Sequence, residues 1–195
     1  MKKILKFPEL RQTYGYDCGA SATMGILDYY GIDVREDEII KLEKTNHAGT
    51  MIKNIKNTLR YFGLKYKEKK MNISDLKKYI DEKIPLMIVL QAWAGNKKVN
   101  WEKDWKDGHY VVVIGYDANK IYFKDPSSER IAYQTYAELK KRWHDTDVKN
   151  KRVNNWGIAI WRPKNSKKNL HPRISVDYRA KGEKKYSKEK IIHMD

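Results

Sequence analysis

Cys18 is the only cysteine in the chain, and it stands in Tyr-Asp-Cys-Gly-Ala-Ser with Gly15 in the stretch before it. A solitary cysteine is most often a small buried hydrophobe, but these neighbours suit a nucleophile. At the first turn of a helix, unpaired N–H groups and the macrodipole stabilise a thiolate. Gln12, six residues earlier, can set a side-chain amide beside the Cys18 backbone N–H. Two such donors form an oxyanion hole for an acyl-transfer intermediate. Gly19 has no side chain to crowd an incoming carbonyl, which assigns it to substrate binding.

A thiolate that attacks a carbonyl also needs a base, which later acts as the acid that protonates the leaving amine. Of His47, His109, His144, His171 and His193, His109 is the best placed. It follows Gly108, a second candidate for substrate contact, and opens the run His-Tyr-Val-Val-Val-Ile-Gly-Tyr. A histidine at the mouth of an apolar strand is fixed by the sheet yet can face a cleft. The next apolar run ends Tyr-Phe-Lys-Asp-Pro-Ser, so a short hairpin brings Asp125 beside His109. There the carboxylate orients the imidazole and stabilises its cation. Trp93 and Trp105 bracket a tryptophan-rich segment just ahead of His109, readable either as a wall of the cleft or as an exposed hairpin with packed rings. His47, next to Asn46, sits in a loop that can border the same cleft. His144 with Asp145 and Asp147 reads as a polar helix end, and no metal site is expected. The sequence holds no phosphate-binding or dinucleotide glycine pattern, so no cofactor is expected.

The elements that must carry these residues follow from periodicity. Asp17 is expected to cap a helix from Cys18 to Tyr30, stopped by Gly31. Further helices are expected over Arg35 to Lys44, over Thr50 to Phe62 and, capped by Ser74, around Leu76, Tyr79 and Ile80. Leu64 to Lys69 alternates like a short strand. Beyond it, Pro85 to Gln91, His109 to Tyr116, Lys120 to Lys124 and Trp156 to Trp161 are β-rich. Asp117-Ala118-Asn119 is a hairpin-length connection, and one more helix is expected at Tyr136 to Trp143. Helices first and antiparallel strands second predict an α+β fold with two facing lobes.

The chain has 195 residues and a formal charge of +16, from 41 Lys and Arg against 25 Asp and Glu. Its aromatic and apolar content excludes a wholly disordered chain, and one cysteine excludes an intrachain disulfide or a multi-cysteine zinc site. No stretch approaches the roughly 20 apolar residues of a membrane span. The N-terminal residues lack the apolar region of a signal peptide, so a cytoplasmic location is expected. Most of the lysines are interleaved with acids. From Pro163 onward, however, ten basic residues stand against four acids. This divides the chain into a domain at 1–162 and a basic extension at 163–195. An acidic partner, nucleic acid or a larger assembly could each be met by that extension.

Taken together, Gln12 to Cys18-Gly-Ala, then Gly-His109-Tyr-Val-Val-Val-Ile-Gly-Tyr, then Phe-Lys-Asp125-Pro-Ser resemble the papain-like peptidases of cysteine-peptidase family thirty-nine. These are the bacteriocin-processing, double-glycine-leader peptidases and their broader relatives. The likeness spans residues 8 to 161 and includes Tyr-Tyr-Gly-Ile-Asp-Val after the first helix and Gly-Thr-Met before the third. It implies a papain-like fold and a peptide or protein substrate cut after small residues such as glycine. It also implies Cys18 as nucleophile, His109 as general base and acid, Asp125 as orienting residue and Gln12 as oxyanion donor. Resolution of the acyl-enzyme by an amine instead of water would make the same residues a transferase. A third alternative is a non-catalytic module that binds through its basic tail.

Overall fold

The fold was obtained as a computed structural model, which describes residues 1–93, 98–128, 130–146, 151–164 and 191–194. Three helices come first: α1 (Cys18–Tyr29), α2 (Glu36–Glu43) and α3 (Ile52–Tyr61), after a short strand β1 (Lys3–Ile4). Then come β2 (Lys65–Lys70), α4 (Ile73–Asp81), β3 (Leu86–Gln91), β4 (Gly108–Tyr116), β5 (Lys120–Lys124) and β6 (Ile131–Thr135). Helix α5 (Tyr136–Arg142) leads to a small ribbon, β7 (His144–Thr146) and β8 (Arg152–Asn154). The described chain closes with β9 (Trp156–Trp161) and β10 (Ile192–His193).

The main sheet runs β10-β6-β5-β4-β3-β9-β2, with β1 also pairing on β4. All pairings are antiparallel except β10 on β6. The fold is therefore α+β, as expected, but both faces of the sheet are covered. Period-two alternation divides the central strand: Met87 and Val89 face the helices α1 to α3, while Leu86, Ile88 and Leu90 face α4 and α5. Every residue of β3 is buried. That explains why Pro85 to Leu90 reads as an unbroken apolar run, the pattern of a strand buried on both sides.

Local details differ from the sequence reading where capping is concerned. Helix α4 is capped by Asn72, not Ser74; Asn72 and Asp75 form a reciprocal capping box. Thr135 and Glu138 do the same for α5. Asp17 precedes α1 without capping it. Its carboxylate turns away and accepts from the N–H groups of Thr13 and Tyr14. The hairpin at Asp117-Ala118-Asn119 is present, with the Asp117 side chain accepting from Asn119 N and Lys120 N.

The division at residue 162 meets a structural fact from the chain's end. Strand β10 pairs with β6, the Met194 N–H donates to the Tyr133 carbonyl, and the Met194 side chain is fully buried. Residues 191–194 thus pack on the same sheet, while 165–190, which carry most of the expected basic extension, lie outside the described residues. Among the described residues, no helix is long and apolar enough to cross a membrane.

One carboxyl is out of keeping with its surroundings. Glu43, the last residue of α2, is fully buried, and neither of its oxygens has a hydrogen-bond partner among the described residues. Burial pushes its pKa well above the carboxylate range, moderated by the nearby Thr23 and Thr58 hydroxyls. An acid raised in the folded state costs stability once pH exceeds its unfolded value, and the cost grows until the folded value is reached. Glu43→Gln should therefore raise the melting temperature at pH 8, by ~2–4 °C per kcal/mol recovered, and have little effect at pH 4.5. Melting curves at the two pH values check this.

Candidate functional site

The site is assembled where the N-terminus of α1 meets one end of β4 and β5. Helix α1 is buried on most sides by small residues, among them Gly19, Ala20, Ala22 and Gly25, so it can lie close against the sheet. Gly19 makes the tightest approach. A Cβ placed on it would lie 2.7 Å from Thr50 Cβ and 3.1 Å from the Tyr110 ring. The sequence reading had Gly19 clearing the path of a substrate carbonyl. In the structure it is buried, and the space a side chain would fill is taken by Thr50 and Tyr110. Its lack of a Cβ brings helix and sheet together, which fixes Cys18 beside the strand that bears His109.

Because Asp17 does not cap the helix, the N–H groups of Cys18, Gly19 and Ala20 have no hydrogen-bond partner among the described residues. Cys18 itself is half-buried and free. His109 is the second residue of β4 and 7% exposed. The antiparallel register pairs Val112 with Lys124, so Asp125, one step on, falls one pleat from His109. His109 Nε2 lies 2.7 Å from Asp125 Oδ1, and Asp125 is wholly buried. Burial alone would lower the imidazole pKa. The hydrogen bond to Asp125 and the influence of the Cys18 thiol outweigh it and raise His109 to about 10. The ring therefore carries its proton through neutral pH.

Gln12 joins the same cluster by another route. Its backbone N–H donates to the Pro126 carbonyl, and its Oε1 accepts from the Ser127 hydroxyl at 2.9 Å. Its Nε2, expected to face an oxyanion, donates to the Tyr14 carbonyl at 2.7 Å. The stretch before α1 is thus tied directly to the turn that follows Asp125. Thr13 and Tyr14 are held in turn by Asp17. His47 is exposed and packs on Tyr16, two residues from the thiol, with ring centroids 4.5 Å apart.

Trp93 is found against the carboxylate: its indole N–H donates to Asp125 Oδ2 at 2.8 Å. Trp105 lies elsewhere, half-buried against the His144 ring and under the Arg152 guanidinium. Gly108 meets Asp145 so closely that a Cβ would collide with both carboxylate oxygens. His144 Nε2 donates to the Asp104 carbonyl at 2.7 Å. No group of three metal-ligating side chains occurs among the described residues, and Asp147 lies outside them.

Gln91, to which the sequence assigned no role, and Asp145, which was expected at a helix end and lies in β7, hold this end of the sheet. Gln91 is fully buried and donates from Nε2 to the His144 carbonyl and to Asp145 Oδ1, while its Oε1 accepts from Asp107 N. Asp145, raised in pKa by burial, completes the joint. A glutamine closing an otherwise apolar run was the available signal, since a polar end on a buried strand must find partners.

The family model described as the peptidase C39 family matches residues 6–148. The chain is 26% identical over 143 residues to the lactococcin-G-processing and transport ATP-binding protein LagD of Lactococcus lactis subsp. lactis, covering 73% of this chain and 18% of that protein. A C39-like peptidase of Bacillus anthracis has a similar fold, with a TM-score of 0.65 and 17% identity over 84% of this chain and 98% of that one. So does a double glycine motif protease from an AMS/PCAT transporter, solved with its leader peptide. Its TM-score is 0.61, with 19% identity over 81% and 93% of the two chains.

Two outcomes follow from the geometry. Gly19→Ala should destabilise the fold by about 1–3 kcal/mol, because the obstructing atom is the Thr50 Cβ and cannot swing away; adding Thr50→Gly should recover part of the loss in a denaturant titration. The second concerns His109. Its folded pKa is raised, so its contribution to stability is complete below about pH 6.5 and fades as pH climbs toward 10. Asp125→Asn should flatten that alkaline loss and move the His109 NMR titration midpoint down.

Proposed function

The chain belongs to the peptidase C39 family, and from that premise we propose that it is a cysteine peptidase working through Cys18, His109 and Asp125. The observation that carries this reading is the buried His109–Asp125 pair, acting together with the one thiol of the chain at the start of α1. The protonated imidazole partners a Cys18 thiolate. The sulfur attacks the scissile carbonyl carbon, and the carbonyl electrons move onto oxygen. The Cys18 N–H, one of the uncapped donors of the first turn, receives that oxyanion. Gln12 Nε2 adds a second donor when its amide leaves the Tyr14 carbonyl. As the C–N bond breaks, His109 gives its proton to the departing amine and a thioester remains. Water then attacks the thioester, His109 takes its proton, and the acid product leaves with the thiolate regenerated.

The proposed substrate is a peptide cut after small residues such as glycine. Two relatives support this choice, the lactococcin-G-processing and transport protein LagD and the double glycine motif protease. The peptidase takes no cofactor in this scheme.

Incubation with peptides carrying Gly-Gly or Gly-Ala before the cut should give products, and bulky replacements at the residue before the cut should slow them. Cys18→Ala should lower turnover by roughly 10⁴-fold or more; full activity in that variant would end the reading. Iodoacetamide should alkylate Cys18 and abolish turnover in the same proportion.

A further inference from the structure

We infer that Trp93 is a positioning residue: its indole N–H holds the outer oxygen of Asp125 so that the inner oxygen stays on His109. The inference rests on the peptidase reading above and deepens it. Asp125 Oδ1 accepts from two groups, His109 Nε2 and the Ser127 N–H, both at 2.7 Å. Oδ2 accepts from the Trp93 indole at 2.8 Å. A carboxylate held at one oxygen alone can swing about its Cβ–Cγ bond. A donor on the other oxygen fixes the plane, and with it the direction along which His109 is held. An indole N–H can only donate, so it cannot be satisfied by turning the pair into a different arrangement.

The backbone at Trp93 points the same way. Its φ is +64°, in the left-handed region that bulky side chains rarely adopt. Such a conformation persists where the surroundings over-determine it, and they do so here. Ala92, the residue before, is buried and donates its N–H to the Asp107 carbonyl, while Gln91 accepts from Asp107 N. The chain is thus pinned on the strand side, and the twist that follows carries the indole to Asp125. Seen from the surface, Trp93 also lines a hollow of about 530 Å³ with Ser127, Ser128, Arg130 and Ile192. Trp93 thus lines the hollow while its indole bonds a carboxylate that solvent does not reach.

The test separates the N–H from the ring. In the full chain, Trp93 is replaced by 3-benzothienylalanine, which keeps the shape and substitutes sulfur for the N–H, and separately by Trp93→Phe. Two quantities are measured: kcat and KM on a peptide the parent protein cleaves, and the rate of Cys18 alkylation by iodoacetamide from pH 5 to pH 9. Both variants should lose roughly tenfold or more in kcat, the scale of one hydrogen bond to a charged group, with KM within about twofold. Alkylation at pH 5 to 7 should slow in both, because the imidazolium beside the thiol is no longer held in line. A benzothienylalanine protein with parental kcat and a parental alkylation profile would reduce Trp93 to packing and overturn the inference while leaving the peptidase reading intact. A parent protein that cleaves no peptide and reacts as an ordinary thiol would overturn both.

Discussion

The closeness of α1 to the sheet governs this molecule. A helix carrying ordinary side chains on its first turn would sit further from β4, and so would the thiol at its N-terminus. Here Gly19 lies against Thr50 and Tyr110, and the small residues behind it let the helix sink into the core formed by α2, α3 and the strands. Packing of this kind is all-or-none, since interiors are filled to the density of a crystal. The position of Cys18 is therefore set by the fit of a glycine and not by any contact of the sulfur itself. Covering the other face of the sheet with α4 and α5 keeps the strands that receive α1 from shifting.

Around that contact the polar groups form a chain of mutual support. Asp17 gives up capping α1 and instead gathers Thr13 and Tyr14, which leaves the first-turn N–H groups available and shapes the segment that carries Gln12. Gln12 reaches the Pro126–Ser127 turn, that turn donates to Asp125, and Asp125 holds His109. On the far side, Gln91, Asp107 and Asp145 lock the strand end from which Trp93 departs. The buried side chains of Gln91, His109 and Asp125 in this series are all hydrogen-bonded, as low dielectric requires. The charge that results is placed on His109. Burial alone would strip its proton, and only the carboxylate and the thiol keep it.

Glu43 is the counterexample within the same core. It lies between α1 and α3 with its oxygens unserved among the described residues, and it answers burial by favouring its neutral form. Two buried ionisable groups in one small domain thus settle in opposite ways. His109 has a charged partner at hydrogen-bond distance and Glu43 has none, which is the whole of the difference.

Much of this was legible in the amino-acid sequence. The α+β class, most helices and the strands β3, β4, β5 and β9 follow from periodicity, and the hairpin between β4 and β5 from Asp117-Ala118-Asn119. The turn brings the two strands together, but a bulge between Val113 and Gly115 shifts the register by one residue and so turns Asp125 to the face that carries His109. The solitary cysteine left no choice of thiol. What the sequence could not express were contacts between residues far apart in the chain. Asn72 took the cap expected of Ser74, because caps depend on where the preceding strand ends. Gly19 packs against Thr50 and Tyr110, Trp93 bonds Asp125, and Met194 returns to the sheet that β6 edges. Composition and spacing determine which groups are present and which local elements they form. Only the tertiary structure decides which of them meet, since a hydrogen bond or a close approach depends on distance in space and carries no period along the chain.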